Sequence, residues 1–251
     1  MSEAATVPSA VERVIDSTAA APRVQTRRVS KRFNDRVVLR GIDLVLRPHE
    51  RAVLFGANGA GKTTLLRILA TLSRPTSGEV VIDGLSVVRD AQAVRKRLGV
   101  VAHQPYLYED LTAGENLRFF AKMYGVPEAE ARIAGVLQQV GLADRADDRV
   151  ASFSRGMQQR LALARATLHR PSVLLLDEPD TGLDRGGLRL LERVIAEHAS
   201  AGGSLLMTTH HLGFGLANAD RALLLSSGRL TRDVPAVEIE EQSLEAELLG
   251  R

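Results

Sequence analysis

One short glycine-rich stretch followed by lysine and threonine constrains this chain more than any other part of its sequence. It follows the apolar run Arg51–Phe55, which is typical of a buried strand, and it precedes a run with helical periodicity. This strand–loop–helix context identifies the G-x-x-x-x-G-K-[ST] pattern of phosphate-binding loops. The pattern and the threonine after it comprise Gly56, Ala57, Asn58, Gly59, Ala60, Gly61, Lys62, Thr63 and Thr64.

Each part of this loop has a chemical task at a bound phosphate. Glycines let the backbone N–H groups and the helix N-terminus approach the phosphate oxygens. Lys62 adds a compact positive charge, and the Thr63 hydroxyl is suited to bind Mg²⁺. Lysine is scarce in this arginine-rich chain, so its presence here favours phosphate binding over the alternative, a glycine turn that caps a core helix.

Two adjacent carboxylates end a second apolar run. Residues 172–176 form a β-compatible stretch, and Asp177 and Glu178 follow it directly. Charges at the end of such an apolar strand need partners. We expect Asp177 to hold Mg²⁺, directly or through water, and Glu178 to take the proton of an attacking water. A polar strand end that meets solvent is the alternative, and the phosphate loop disfavours it.

The order of the apolar runs predicts an α/β protein. Val24–Phe33 and 37–46 alternate as half-buried antiparallel strands do. Runs at 172–176, 204–209 and 221–226 alternate with helical segments, which indicates a mostly parallel sheet flanked by helices. Residues 111–125 predict a helix with Thr112 and Glu115 in a capping box, within a helical insert at about 104–150.

Three regions are expected along the chain: a flexible leader at 1–22, the main domain at 23–233, and a helical tail at 234–251. The leader is interrupted by charges, which is not typical of a secretory signal.

The composition excludes several kinds of site. The absence of cysteine excludes disulfides, thiol nucleophiles and cysteine-based zinc sites. No apolar run approaches the ~18–20 residues that cross a bilayer, so we expect another chain to supply any membrane spans. Scattered arginines and few aromatic residues argue against nucleic-acid binding.

From about Val24 to Leu230 these motifs together resemble the nucleotide-binding domain of ABC ATPases. The resemblance implies the P-loop NTPase fold of that family, with an antiparallel β subdomain and an inserted helical subdomain. It implies that the chain binds ATP with Mg²⁺ and hydrolyses it. It also implies adenine stacking for Phe33, sensing of Mg²⁺ and of a transmembrane partner for Gln104, and a nucleotide contact for Asp184 in the stretch 180–184. His210 is similar to the family's switch histidine, and a neutral imidazole there suits contact with the γ-phosphate and the attacking water.

The stretch 153–157 is similar to the family's signature motif L-S-G-G-Q, but Phe153, Arg155 and Met157 depart from it. Ser154 and Gly156 are retained, and they can offer a hydroxyl and a backbone N–H to a γ-phosphate. Ser154 is also expected to cap the helix that follows. The resemblance implies that this half of the site acts on ATP held by a second subunit, in a dimer that is expected to be homomeric.

Two stretches, 104–126 and 153–166, are similar to the ATPases of haem exporters that serve cytochrome c maturation. They also resemble the ATPases of drug, polyketide and polysaccharide exporters. The resemblance implies transmembrane transporter subunits as partners and a cytoplasmic location on the inner face of the membrane. The alternatives are a non-transport ABC ATPase and a regulatory module that holds ATP without hydrolysing it; intact Glu178 and His210 oppose the latter.

Overall fold

The structure is a computed structural model that describes residues 21–248. Its centre is a six-stranded sheet built from β3 (Arg51–Phe55), β6 (Leu98–Val101), β7 (Val173–Asp177), β8 (Ser204–Thr208), β9 (Arg221–Ser226) and β10 (Arg229–Pro235). The strands lie in the order β10–β9–β3–β8–β7–β6. Every neighbouring pair is parallel except β9 and β10, which run antiparallel. The predicted mostly parallel sheet is confirmed.

A second sheet is wholly antiparallel. It contains β1 (Val24–Phe33), β2 (Arg36–Leu46), β4 (Ser77–Ile82) and β5 (Leu85–Ser86), in the order β2–β1–β4–β5. Buried and exposed residues alternate along parts of β1 and β2, because one face of this sheet packs on the core and the other meets water. The two half-buried strands predicted from alternation are therefore confirmed.

The helices are α1 (Lys62–Leu69), α2 (Ala91–Arg95), α3 (Ala113–Tyr124), α4 (Ala129–Gln139), α5 (Arg155–Thr167), α6 (Arg185–Ser200), α7 (Leu212–Ala217) and α8 (Glu241–Leu248). The predicted capping box begins α3: Thr112 Oγ1 accepts the N–H of Glu115 at 3.1 Å, and Glu115 Oε2 accepts the N–H of Thr112 at 2.8 Å. Gly125, at φ 67°, ends the helix in the left-handed conformation. Within residues 21–248 no helix is long and apolar enough to cross a membrane.

Two hydrophobic cores cover the faces of the central sheet. Successive strand residues point to opposite faces, so Leu54 and Leu175 pack with α1 and the antiparallel sheet. Their neighbours Phe55 and Leu176 pack with α5, α6 and the helices of the insert. Both faces are thus closed, and polar groups that follow the strands gather at the carboxyl edge of the sheet, where open α/β folds bind ligands.

Several details differ from the sequence-based expectation. β6 and β10 were not predicted, and β10 runs to Pro235, into the stretch assigned to the tail. Residues 1–20 of the predicted leader and 249–251 of the tail lie outside the described residues. Within the tail, α8 spans Glu241–Leu248 and packs through Leu244, which is fully buried in the same core as Leu176.

We expect Leu244→Ala to lower the free energy of unfolding by about 2–5 kcal/mol, because the truncation leaves a cavity in a closed core. Urea denaturation followed by circular dichroism measures the change. Val237→Ala is the matched control in the same tail: Val237 is 94% exposed, and its loss should change the stability by at most about 0.5 kcal/mol. Equal losses for the two variants would contradict the packing of the tail on the core.

Candidate active site

The loop between β3 and α1 is shaped to receive an anion. Gly61 has φ 113°, which disfavours any residue with a side chain, and a Cβ atom there would lie 2.7 Å from Leu39 Cδ2. Because no side chain caps α1 at Gly61, the first-turn N–H groups of the helix face the loop without an intrahelical partner. These groups and the positive end of the helix dipole favour a bound phosphate.

Lys62 lies within this loop and is 7% exposed. Its Nζ donates to the carbonyl oxygens of Gly56 at 2.6 Å and of Ala57 at 3.3 Å, so the ammonium group is held against the loop backbone. Burial lowers the pKa of Lys62 below its ordinary value, and the nearby carboxylates of Glu178 and Asp177 oppose that shift. The side chain is thereby directed to the position where the loop would hold phosphate oxygens.

Asp177 lies at the end of β7 and is 7% exposed. Its Oδ1 accepts the hydroxyl of Thr208 at 2.7 Å and lies 3.4 Å from Thr63 Oγ1. The adjacent hydroxyl and carboxylate are the oxygen donors that Mg²⁺ prefers. Residues 21–248 contain no cluster of three acidic, histidine or cysteine side chains that could cage a metal. Thr63 and Asp177 therefore suit Mg²⁺ that takes its other ligands from phosphates and water.

Glu178 follows Asp177 with φ 53°, an uncommon backbone conformation for a residue other than glycine. Its N–H donates to the carbonyl and hydroxyl oxygens of Thr208, at 3.1 and 3.2 Å. His210 Nε2 lies 2.9 Å from Glu178 Oε1. Because a carboxylate only accepts hydrogen bonds, Nε2 is the protonated nitrogen of this ring. The structure thus brings together two residues that lie far apart in sequence and were both expected at the site.

An open cleft of about 290 Å³ lies between the phosphate loop and Glu178. Its lining comprises Arg36, Val38, Asn58, Gly59, Gly61, Lys62, Thr63, Thr64 and Glu178. Arg36 was not expected at the site: its Nη2 lies 3.8 Å from the point that a Cβ atom on Gly59 would occupy. It is paired across the β1–β2 turn with Phe33. This cross-strand pairing is the signal that could have identified Arg36 from the expected role of Phe33.

Phe33 itself does not line that cleft. Its side chain is 50% exposed at the end of β1, and Lys31 Nζ lies 4.7 Å from the centre of its ring. An exposed aromatic ring is suited to stacking. The position is consistent with the adenine contact that the resemblance implies.

The remaining candidate residues lie outside the cleft. Gln104 is exposed in the loop after β6, and within residues 21–248 no hydrogen bond joins it to Asp177 or Glu178. Ser154 Oγ accepts the N–H of Met157 at 3.3 Å, which confirms the predicted helix cap. Asp184 Oδ1 accepts the N–H of Gly187 at 2.7 Å and caps α6, a role that was not foreseen.

Comparison with known proteins gives a family match over residues 39–181, to a model described as ABC transporter. A daunorubicin resistance ATP-binding protein, DrrA3 of Streptomyces coeruleorubidus, is 38% identical over 85% of this chain and 68% of its own length. The cytochrome c biogenesis ATP-binding export protein CcmA of Salmonella typhi is 40% identical over 78% of this chain and 93% of its own length.

Solved structures share the fold over most of the chain. The ATP-binding subunit of an ABC transporter superposes with a TM-score of 0.85 and 28% identity, over 90% of this chain and 99% of that one. A dimeric ATP-binding cassette, MJ0796, in a post-hydrolysis state with ADP and Pi, gives a TM-score of 0.75 and 27% identity, over 85% and 98%. The predicted fold class, with its two sheets and helical insert, is confirmed by these similarities and by the topology.

We expect Arg36→Ala to raise the KM for ATP about tenfold, because one charge-assisted contact with the nucleotide is worth about 1.4 kcal/mol or more. Steady-state ATP hydrolysis at a series of ATP concentrations measures the change. Arg32→Ala is the control from the same hairpin, since Arg32 instead bonds Asn34 and Asp35 in the turn. An unchanged KM for Arg36→Ala would remove this residue from the site.

Proposed function

Because this chain belongs to the ABC transporter family, we propose that it is the ATP-binding and hydrolysing subunit of an exporter. The observation that carries the proposal is the Glu178–His210 pair at 2.9 Å, in which Glu178 lines the same cleft as Lys62 and Thr63. A module that only holds ATP needs the phosphate loop but not this pair. The pair therefore favours hydrolysis over binding alone.

The loop residues Gly56–Thr64 would bind the phosphates of ATP, with Lys62 on the β- and γ-phosphates. Thr63 and Asp177 would hold Mg²⁺, with Gln104 moving towards it when nucleotide binds. When bound, Mg²⁺ would neutralise charge on the phosphate oxygens. Phe33 would stack on adenine, and Arg36 would add a second cationic contact beside Gly59.

Hydrolysis transfers the γ-phosphoryl group to water. The water oxygen bonds to the γ-phosphorus, the bond from that phosphorus to the β–γ bridging oxygen breaks, and ADP leaves with the bridging oxygen. Glu178 accepts the proton that the water loses. His210, through Nε2–H, would orient the Glu178 carboxylate.

The signature residues Ser154 and Gly156 belong to the second half of the site in this proposal. They lie outside the cleft lined by Lys62 and Glu178 of the same chain, so a second copy would bring them to its open side, with Asp184 nearby. The dimeric form of the ADP-bound relative supports this arrangement. ATP held between two copies would close the dimer, and hydrolysis would release it.

Transmembrane subunits are the proposed partners, and one surface is suited to them. Large exposed apolar side chains gather beside the loop of Gln104; we call them the insert patch, namely Leu72, Tyr106, Tyr108, Phe119 and Met123. Tyr108 and Phe119 are in edge contact at 5.0 Å. The patch borders a groove of about 400 Å³. Exposed apolar surface of this kind marks a contact site, and the proposed occupant is a segment of the transmembrane subunit.

Export of haem for cytochrome c biogenesis is the first candidate activity of the assembled transporter, supported by the similarity to CcmA. Export of a drug, polyketide or polysaccharide is the second, supported by the similarity to the daunorubicin resistance protein. The chain would lie on the cytoplasmic face of the membrane, held there by its partners, without a nucleic-acid ligand. A non-transport ABC ATPase is the competing class, and copurification with membrane subunits discriminates the two.

We expect Glu178→Gln to reduce the rate of ATP hydrolysis about 10²–10⁴-fold, because the amide cannot accept the proton. Binding of ATP should persist, since the phosphate loop is unchanged. Phosphate release and equilibrium nucleotide binding measure the two effects. Glu192→Gln, an exposed carboxylate on α6, is the control. A hydrolysis rate near that of the wild type for Glu178→Gln would refute its role as the base.

We expect Phe119→Glu and Met123→Glu to abolish copurification with the transmembrane subunits from native membranes, because each places a charge in the insert patch. The chain is purified through a tag, and quantitative mass spectrometry measures the amount of each transmembrane subunit that copurifies with it. Val237→Glu, an exposed position in the tail, should recover them at the wild-type level. Undiminished recovery by both patch variants would show that the partners bind elsewhere.

A further inference from the structure

The peptide segment that carries Glu178 is held from two sides. Glu178 adopts φ 53°, and a backbone in this sparsely populated region persists only where its surroundings fix it. On the first side is the end of β8: Thr208 accepts the N–H of Glu178, and Thr209 Oγ1 donates to Asp180 Oδ2 at 2.8 Å. These bonds fix the residues on either side of Pro179.

The second side is the first two turns of α5. Gln159 Nε2 donates to the carbonyl oxygen of Pro179 at 3.0 Å. One turn earlier, a Cβ atom on Gly182 would lie 3.2 Å from Arg155 Cδ, so the aliphatic stem of this arginine covers that glycine. A Cβ atom on Gly156 would lie 3.0 Å from the carbonyl oxygen of Gly182. The helix therefore contacts the segment at both Pro179 and Gly182.

Gln159 makes the one side-chain hydrogen bond from α5 to this segment within residues 21–248. Proline has no N–H of its own, so its carbonyl is the polar backbone group by which Pro179 can be fixed. Pro179 follows Glu178 directly, and a rotation of its backbone would turn the Glu178 carboxylate. Displacements of about 1 Å at a reacting group can cost about 10²-fold in rate.

We propose that Gln159 is a positioning residue for Glu178 and acts through the Pro179 carbonyl. The inference rests on the proposed role of Glu178 as the base. Gln159 is only half-buried, so replacement of its amide leaves the core of α5 intact. It would set the orientation of the carboxylate relative to the attacking water, with no contact to the nucleotide held on the same chain.

The test compares Gln159→Met, which keeps the length of the side chain but cannot donate, with Gln159→Lys, which restores a donor. Gln158→Met is the matched control, because Gln158 makes no side-chain hydrogen bond within residues 21–248. We expect Gln159→Met to lower kcat about 10–100-fold while the KM and the affinity for ATP stay within about twofold. Gln159→Lys should recover part of kcat, and Gln158→Met should match the wild type.

A double-mutant cycle with Glu178→Gln separates positioning from a general structural effect. If Gln159 acts through Glu178, Gln159→Met should lower the residual rate of Glu178→Gln by less than about twofold. A full additional loss, or a kcat for Gln159→Met equal to that of Gln158→Met, would overturn the inference. A fast Glu178→Gln enzyme would instead contradict the proposed function, so the two failures are distinguishable.

Discussion

The buried carboxylate of Asp177 is the constraint on which the rest of the site depends. A charge in this position needs partners, and they come from segments far apart in sequence: the Thr208 hydroxyl at 2.7 Å and the Thr63 hydroxyl at 3.4 Å. The ends of β7 and β8 and the start of α1 must therefore meet at one point. As a result, Lys62 and Glu178 line the same cleft at the carboxyl edge of the parallel sheet.

The candidate site has a buried part, which contains Lys62 and Asp177, and an exposed part, which contains His210, Gln104 and Phe33. Lys62 and Asp177 are each 7% exposed and fixed by hydrogen bonds, so the part that would receive phosphate and Mg²⁺ is preorganised. His210, Gln104 and Phe33 are exposed. In our proposal these are the groups that meet the substrate or move when it binds. In our proposal, α5 links the parts because it carries Ser154 at its start and Gln159 against the segment after Glu178.

The sequence was sufficient for the fold class and for groups whose chemistry is local: the phosphate loop, the Asp177–Glu178 strand end and the α3 capping box. The sequence was insufficient where the position of a residue depends on its packing against segments far away in the chain. β6 is four residues long and contains Gly99, where a Cβ atom would lie 2.2 Å from the Ala166 carbonyl oxygen. That glycine allows α5 to approach the strand, yet it weakens the strand pattern. Arg36 likewise reaches the cleft only because the hairpin folds over the loop.

Complementation between two inactive variants tests most directly the claim that ATP is hydrolysed at a site shared by two copies. Lys62→Ala removes the loop half and Ser154→Arg the signature half, so each homodimer has two damaged sites. A mixed dimer keeps one intact site, built from the loop of the Ser154 variant and the signature of the Lys62 variant. Coexpressed, differently tagged chains purified through both tags should hydrolyse ATP well above either variant alone. A rate no higher than the mean of the two separate variants would contradict the account.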